Sequence, residues 1–142
     1  MSAITLDQAR TIISTAFAKG AEGGMKPLSV LVLDGGGHPI AFERQDGSSM
    51  GRFGVAMGKA NGALQLGVSS RIVGKMAEDR PSFVASVGGI FPHGVIPAAG
   101  AVIVVDESGD TIGAVGITGD TSDNDEACAL AGIEAAGLSA KN

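Results

Sequence analysis

Aromatic side chains are scarce in this chain of 142 residues, where they make up 4% and include neither Trp nor Tyr. Aliphatic and small side chains must therefore build the core, since hydrophobic residues still account for 44% of the sequence. Basic residues are also few, and at a net charge of −5 the chain shows no basic stripe. This charge distribution excludes the electrostatic surface on which nucleic-acid binding depends.

Cysteine is limited to Cys128, which excludes a disulfide within the chain. No His or Lys lies near this thiol in the sequence, so it is interpreted as a small core residue rather than as a nucleophile. The first residues, MSAITLDQAR, lack the basic and apolar regions of a secretory signal. No apolar run reaches the length of a membrane span, and we expect a cytoplasmic protein without a membrane partner.

Glycine, in contrast, is abundant at 23 of 142 residues, about twice its usual share. The length indicates one domain, residues 1–142, that is large enough for a hydrophobic core. A chain this apolar is not disordered, and its glycines are expected at turns and at close contacts between backbones.

The segment from Ala101 to Leu138 is the part around which the rest is organised. It predicts a buried strand at Ala101–Val105, a tight turn, a second strand at Thr111–Ile117 and then a helix. Ser122 or Asp123 is expected to cap that helix. Its acidic start argues against a phosphate site, which leaves two alternatives. The segment is either a well-capped helix start or a pocket rim where Asp120 or Glu126 handles a proton.

An internal repeat links this segment to an earlier one. LSVLVLDGGGHPIAF superposes on GAVIVVDESGDTIGA at an offset of 72 residues, so that Asp34 matches Asp106. The first copy predicts a hairpin of Leu28–Leu33 and Pro39–Arg44. Two hairpins placed edge to edge would form one mostly antiparallel sheet with helices against it.

Four further helices are predicted from periodicity and end signals. They begin with a capping box at Thr5–Gln8 and continue at about Ser49–Leu66, Ser70–Asp79 and Ser82–Val87. In the second of these, a stripe of glycines recurs every four residues, at Gly54, Gly58 and Gly62. The stripe costs about 3 kcal/mol of helix stability, which close packing must offset. We interpret it as a packing surface, with a ligand or partner face as the alternative, and we expect a homo-oligomer.

The loop from Gly88 to Gly100 holds four Gly and two Pro in thirteen residues, and loops of this length are usually functional. Phe91 and His93 make it a candidate pocket wall or lid, although an exposed loop histidine is the alternative. His38 is a weaker candidate because it lies at a hairpin tip. Arg44 and Lys59 are usual surface residues, but they would bind a carboxylate if they faced one pocket.

Several stretches together resemble one known family. SVLVLDGGGHPIAFERQDG, GKANGAL, PAAGAVIVVD and IGAVGITGDTSDNDEACALAGIEAAGL are similar to the GlcG/HbpS family of haem-binding and catabolism-associated proteins, from about Thr5 to Leu138. The resemblance implies an α/β sandwich of the profilin-like type, with one antiparallel sheet and helices packed against it, usually in a homo-oligomer. The resemblance implies that the haem binders of this family use a His near the end of the first helix or just before the first strand. Here that region, AKGAEGGMKPLSV, holds no His, and Met25 is its remaining axial candidate.

Two functions follow as hypotheses. The first is a cofactor-independent acid–base enzyme, an isomerase or lyase acting on a small oxygenated carboxylate, without a metal. Its candidate catalytic residues are His93, Asp120 and Glu126, and its candidate ligand-binding residues are Arg44, Lys59, Phe91 and His38. The second is a protein that binds haem or another tetrapyrrole without catalysis.

Overall fold

This computed structural model describes residues 3–142, which form five helices and five strands. Their order along the chain is α1-β1-β2-α2-α3-α4-β3-β4-α5-β5. The helices are α1 (Leu6–Glu22), α2 (Arg52–Leu66), α3 (Ser70–Asp79), α4 (Pro81–Val87) and α5 (Ser122–Ala135). The strands are β1 (Ser29–Asp34), β2 (Pro39–Arg44), β3 (Ala101–Val105), β4 (Thr111–Thr118) and β5 (Ser139–Lys141). Every helix in this part of the chain is too short or too polar to span a bilayer.

The strands form one antiparallel sheet in the order β2-β1-β4-β3-β5. The two repeated hairpins join through β1 and β4, with Ser29 opposite Thr118 and Asp34 opposite Gly113. This arrangement confirms the single antiparallel sheet that the internal repeat predicted. The short edge strand β5 was not predicted, because Ser139–Lys141 carries no apolar pattern and is exposed throughout.

Helices cover both faces of the sheet. Along β1, Val30 and Val32 pack with α1 and α5, whereas Leu31 and Leu33 pack with α2. This alternation explains why the strand reads as an unbroken apolar run. The core is therefore split into two apolar layers, one on each side of the sheet.

Glycine allows the closest contact between the sheet and α2. A β-carbon at Gly116 on the central strand would lie 2.6 Å from the carbonyl oxygen of Ala56. Any side chain there would push the helix away from the strand. The close backbone contact that the sequence predicted for glycines is thus confirmed at Gly116, and it brings the residues of α2 near the end of β4.

The helix starts agree with the sequence at α1 and at α3, which begins at Ser70, and differ at α2, α5 and α4, which begins at Pro81 rather than Ser82. The capping box of α1 is confirmed, because Gln8 N donates to Thr5 Oγ1 at 3.0 Å and Thr5 N donates to Gln8 Oε1 at 2.9 Å. The predicted cap of α5 was wrong, since Thr121 has the extended backbone and its Oγ1 accepts from Asn124 N at 3.2 Å. Helix α2 begins at Arg52, after Gly51, rather than near Ser49.

Candidate functional site

Two of the three stripe glycines of α2, Gly58 and Gly62, are covered by the chain's own loop between α4 and β3, whereas Gly54 faces open space. A β-carbon at Gly58 would lie 2.5 Å from Ile96 Cγ1, and one at Gly62 would lie 3.4 Å from Val95 Cγ1. Ile96 N also donates to Gly58 O at 3.1 Å. The packing role of these two glycines is confirmed, with the loop rather than a second subunit as the partner. The homo-oligomer stays a prediction.

Both histidines lie on segments that meet at Asn61 of α2. Asn61 Nδ2 donates to the carbonyl oxygen of Pro92 at 2.6 Å, and Asn61 Oδ1 lies 2.7 Å from the position a β-carbon would take on Gly37. His93 follows Pro92 and has the left-handed φ of 68° that few non-glycine residues adopt. His93 and His38 are both exposed, whereas Phe91 is half-buried in the loop.

Asp120 is held as a structural carboxylate at the far end of β4. Its side chain accepts from Lys26 N at 3.0 Å and from Asn124 Nδ2 at 2.7 Å. These hydrogen bonds, that from Lys26 N first, lower the pKa of Asp120 to about 2. A carboxylate with such a pKa is a poor proton acceptor at neutral pH.

Glu126 is also engaged by another residue. It is buried, and its two carboxylate oxygens accept from Arg71 Nε at 3.1 and 3.0 Å. Arg71 pairs with Asp123 as well, and these bonds, led by those from Glu126, raise the pKa of the arginine. Arg71 was not predicted, because only the fold brings α3 next to the start of α5.

The structure does not gather the three candidate catalytic residues into one cavity. The contact of Asn61 with Gly37 lies near the start of β4, since Gly113 pairs with Asp34 just before that turn. Asp120 follows the other end of β4, and the strand from Gly113 to Thr118 alone spans roughly 17 Å. The proton-transfer role of His93 stays a prediction without a carboxylate partner among the contacts described here.

Lys59 differs from its predicted surface role. Only 4% of the residue is exposed, and Nζ donates to Ile117 O at 3.1 Å and lies 3.4 Å from Asp125 Oδ2. Burial lowers the pKa of Lys59 and raises that of Asp125, although each charge partly offsets the shift of the other. Lys59 does not reach a solvent-exposed ligand, because the face of α2 that carries it packs on β4.

Arg44 lines an open cleft of about 620 Å³ between the end of α1 and the end of β2, which we call the α1-end cleft. Phe17, Met25 and Pro27 supply apolar wall atoms. Gly20, Ala21, Glu43, Gln45 and Asp46 complete the lining.

Met25 Sδ lies 3.6 Å from the buried Cys128 thiol, whose pKa is raised by burial. Cys128 is thus the small core residue that the sequence predicted.

Arg52, which the sequence did not single out, is fixed at the start of α2. Its Nη1 donates to Thr118 Oγ1 at 2.8 Å and its Nε donates to Ser49 Oγ at 3.1 Å. Among residues 3–142, Arg52 forms no ion pair. No cluster of three or more His, Cys, Asp or Glu side chains suited to a metal ion occurs in that part of the chain either.

The duplicated hairpins and the helices on both sheet faces define an α/β sandwich of the profilin-like type. A family model described as haem degrading protein HbpS-like matches residues 4–134. The chain belongs to this HbpS-like family, which confirms the resemblance seen in the sequence.

Solved structures share the fold at low sequence identity. The haem complex of PduOC is 17% identical with a TM-score of 0.85, covering 99% of this chain and 100% of that one. A double mutant of HbpS from Streptomyces reticuli is 24% identical with a TM-score of 0.80, covering 94% and 87%. The ORFY protein of Klebsiella pneumoniae is 21% identical with a TM-score of 0.84, covering 96% and 92%. No curated protein sequence matches the chain.

Proposed function

We propose that this chain binds haem or a related tetrapyrrole in the α1-end cleft, without catalysing a reaction. A tetrapyrrole needs apolar contact for its flat ring and a cation for its carboxylates. Phe17, Met25 and Pro27 offer the first, and Arg44 at the cleft edge offers the second. Membership of the HbpS-like family and the haem complex of PduOC support the same ligand class.

The donor set of this chain fits the ring and the carboxylates of haem better than it fits the iron. Haem iron is held by His, Cys thiolate, Met or Tyr, and this chain contains no Tyr. His38 and His93 lie on segments that meet at α2, whereas the cleft lies on the α1 side of the sheet. Met25 is the iron ligand that the cleft offers, and its sulfur already contacts a thiol. We therefore expect most of the affinity to come from ring and carboxylate contacts.

An acid–base enzyme is supported less well by this geometry. Asp120 and Glu126 are held by Lys26 and Arg71, and the partners of their side-chain hydrogen bonds lie outside the loop that carries His93. The cleft beside Arg44 needs no catalytic partner to hold an anionic ligand. The observation that carries the proposal is thus the combination of apolar walls and one cation in the α1-end cleft.

Absorbance titration with haem tests this assignment. Ala21 is an exposed residue of α1 that lines the cleft, so Ala21→Phe narrows the cleft without entering the core. Haem affinity should then fall by about tenfold or more, a change of about 1.4 kcal/mol. Ala85→Phe, on the exposed side of α4, is the matched control and should bind as the wild type does. Unchanged binding by Ala21→Phe, or loss of binding in His93→Ala, would place the ligand elsewhere.

A further inference from the structure

Arg52 presents free hydrogen-bond donors at a fixed position. A guanidinium carries five N–H donors, and the bonds to Ser49 and Thr118 use two of them. The side chain is half-buried, and no carboxylate among residues 3–142 pairs with it. An arginine held at two points loses little entropy when it binds a planar anion with its remaining donors.

The start of α2 adds positive potential at the same place. This helix has 15 residues, its N-cap Gly51 has no side chain to cap it, and its first turn holds no acidic residue. Arg52 N donates to Ser49 O at 3.3 Å, whereas the N–H groups of Phe53 and Gly54 have no partner among residues 3–142. Those two groups are available to an anion, and the helix dipole favours negative charge there. A helix start of this kind alone would not define a site.

An orphaned hydroxyl group on the sheet provides an independent indication. Ser29 is completely buried, yet its Oγ has no hydrogen-bond partner among residues 3–142. Ser29 lies opposite Thr118 in the sheet, and it shares a sheet face with Leu31, which packs on the α2 side. The Ser29 side chain therefore points to the same sheet face as Thr118, whose hydroxyl group accepts the hydrogen bond from Arg52. Buried hydroxyl groups are nearly always paired, so Ser29 Oγ retains the capacity to hydrogen-bond a polar ligand.

The local charge is positive even though the whole chain is acidic. Arg44 is opposite Ser29 on the neighbouring strand, and the Lys59 ammonium lies near Arg52. The carboxylate of Asp125 pairs with the ammonium group of Lys59 and not with Arg44 or Arg52. Beside this cluster, Phe53 and Met50 are 41% and 90% exposed, which offers apolar contact to whatever binds.

We propose that Arg52, together with Ser29, Thr118 and the start of α2, binds the carboxylate group of a small organic acid with a short apolar tail. The guanidinium fork matches the two oxygens of a carboxylate, and the exposed Phe53 ring packs against the tail. This Arg52 site adjoins the α1-end cleft through Arg44, but none of its proposed ligand contacts lines that cleft, so the proposal does not depend on tetrapyrrole binding. It replaces Lys59, which the sequence favoured as a carboxylate ligand and which the fold buries.

A titration of the ¹⁵N-labelled protein with sodium propionate, at constant ionic strength with chloride, tests the site. The Arg52 Nε–H signal and the Phe53 amide should shift together and saturate. Arg52→Gln should abolish saturation at Phe53, and Arg52→Lys should weaken binding severalfold because it keeps the charge but loses the fork. Arg10→Gln, on an exposed part of α1, is the control and should leave the titration unchanged.

Two further variants separate binding from folding. Thr118→Val keeps the guanidinium but removes its hydroxyl acceptor, and Ser29→Ala removes the orphaned hydroxyl group. Both should weaken propionate binding while the amide spectrum stays that of a folded protein. The proposal is overturned if no residue saturates in the wild type, or if Arg52→Gln binds normally. Tighter binding of inorganic phosphate than of propionate would also overturn the assignment to carboxylates.

Discussion

Lys59 Nζ lies 3.4 Å from Asp125 Oδ2, and the two side chains are 4% and 2% exposed. The pair connects α2 and α5, helices on opposite faces of the sheet, around the end of β4. Asp125 Oδ1 also accepts from Asp120 N at 3.0 Å, so the buried carboxylate fixes the turn that precedes α5. Burying two charges is costly, and the pair fixes the relative position of the two helices more than it adds net stability.

Removing one member of this pair should be far more damaging than removing both charges. Lys59→Met leaves a buried, unpaired Asp125 and should lower the free energy of unfolding by about 3–5 kcal/mol. Adding Asp125→Asn, which keeps an acceptor for Asp120 N, should recover most of that loss. Urea denaturation of the wild type, both single variants and the double variant gives the four free energies of unfolding that a double-mutant cycle needs. Losses that simply add would show that the two side chains are not coupled.

Asp120 should make the protein sensitive to acid. Its pKa is about 2 in the folded chain against an ordinary value of 3.8, so the unfolded chain binds a proton first as the pH falls. The stability that the Asp120 carboxylate contributes is fully present at pH values well above 3.8. It is lost as the pH falls through about 2. Thermal unfolding of Asp120→Asn between neutral and acidic pH should therefore show a smaller fall in Tm than the wild type. Parallel curves would remove Asp120 as a source of this sensitivity.

Two glycines in the same helix should respond to alanine in opposite directions. Gly54 has open space where a β-carbon would lie, so Gly54→Ala should raise the free energy of unfolding by about 1 kcal/mol through helix propensity. At Gly58 the β-carbon would lie 2.5 Å from Ile96 Cγ1, and Gly58→Ala should be destabilising because the loop must move. Chemical denaturation of both variants measures the difference. Stabilisation by Gly58→Ala would contradict the covering of the stripe by the loop.

The sequence was sufficient for the four hairpin strands of the sheet, though not for the edge strand β5, because the information in the hairpins is local and repeated. The two hairpin segments match at Asp34 and Asp106, and each of these residues makes the same turn, accepting from the N–H of His38 or Asp110. Successive side chains of each strand point to opposite faces of the sheet, which decides the helix layer that each residue meets. The capping box of α1 is equally local.

The candidate site was less accessible to sequence reasoning, because its contacts are distant along the chain. Lys59 reads as a surface lysine until α2 is placed on β4, which the glycine at 116 allows. Asp125 then meets it from 66 residues away. Arg52 and Arg71 likewise receive their roles from partners on other elements. Periodicity identifies a helix, but it does not say which distant carboxylate or hydroxyl group will lie against it.

The most direct test of the account compares haem with iron-free protoporphyrin IX. Ring and carboxylate contacts in the α1-end cleft should hold both, so their dissociation constants by absorbance titration should agree within about tenfold, or about 1.4 kcal/mol. Arg44→Gln should weaken both ligands by the same factor, with Arg10→Gln as the unchanged control. Haem binding that is about 100-fold tighter than protoporphyrin binding, about 2.7 kcal/mol, would show that an iron ligand dominates and would contradict the account.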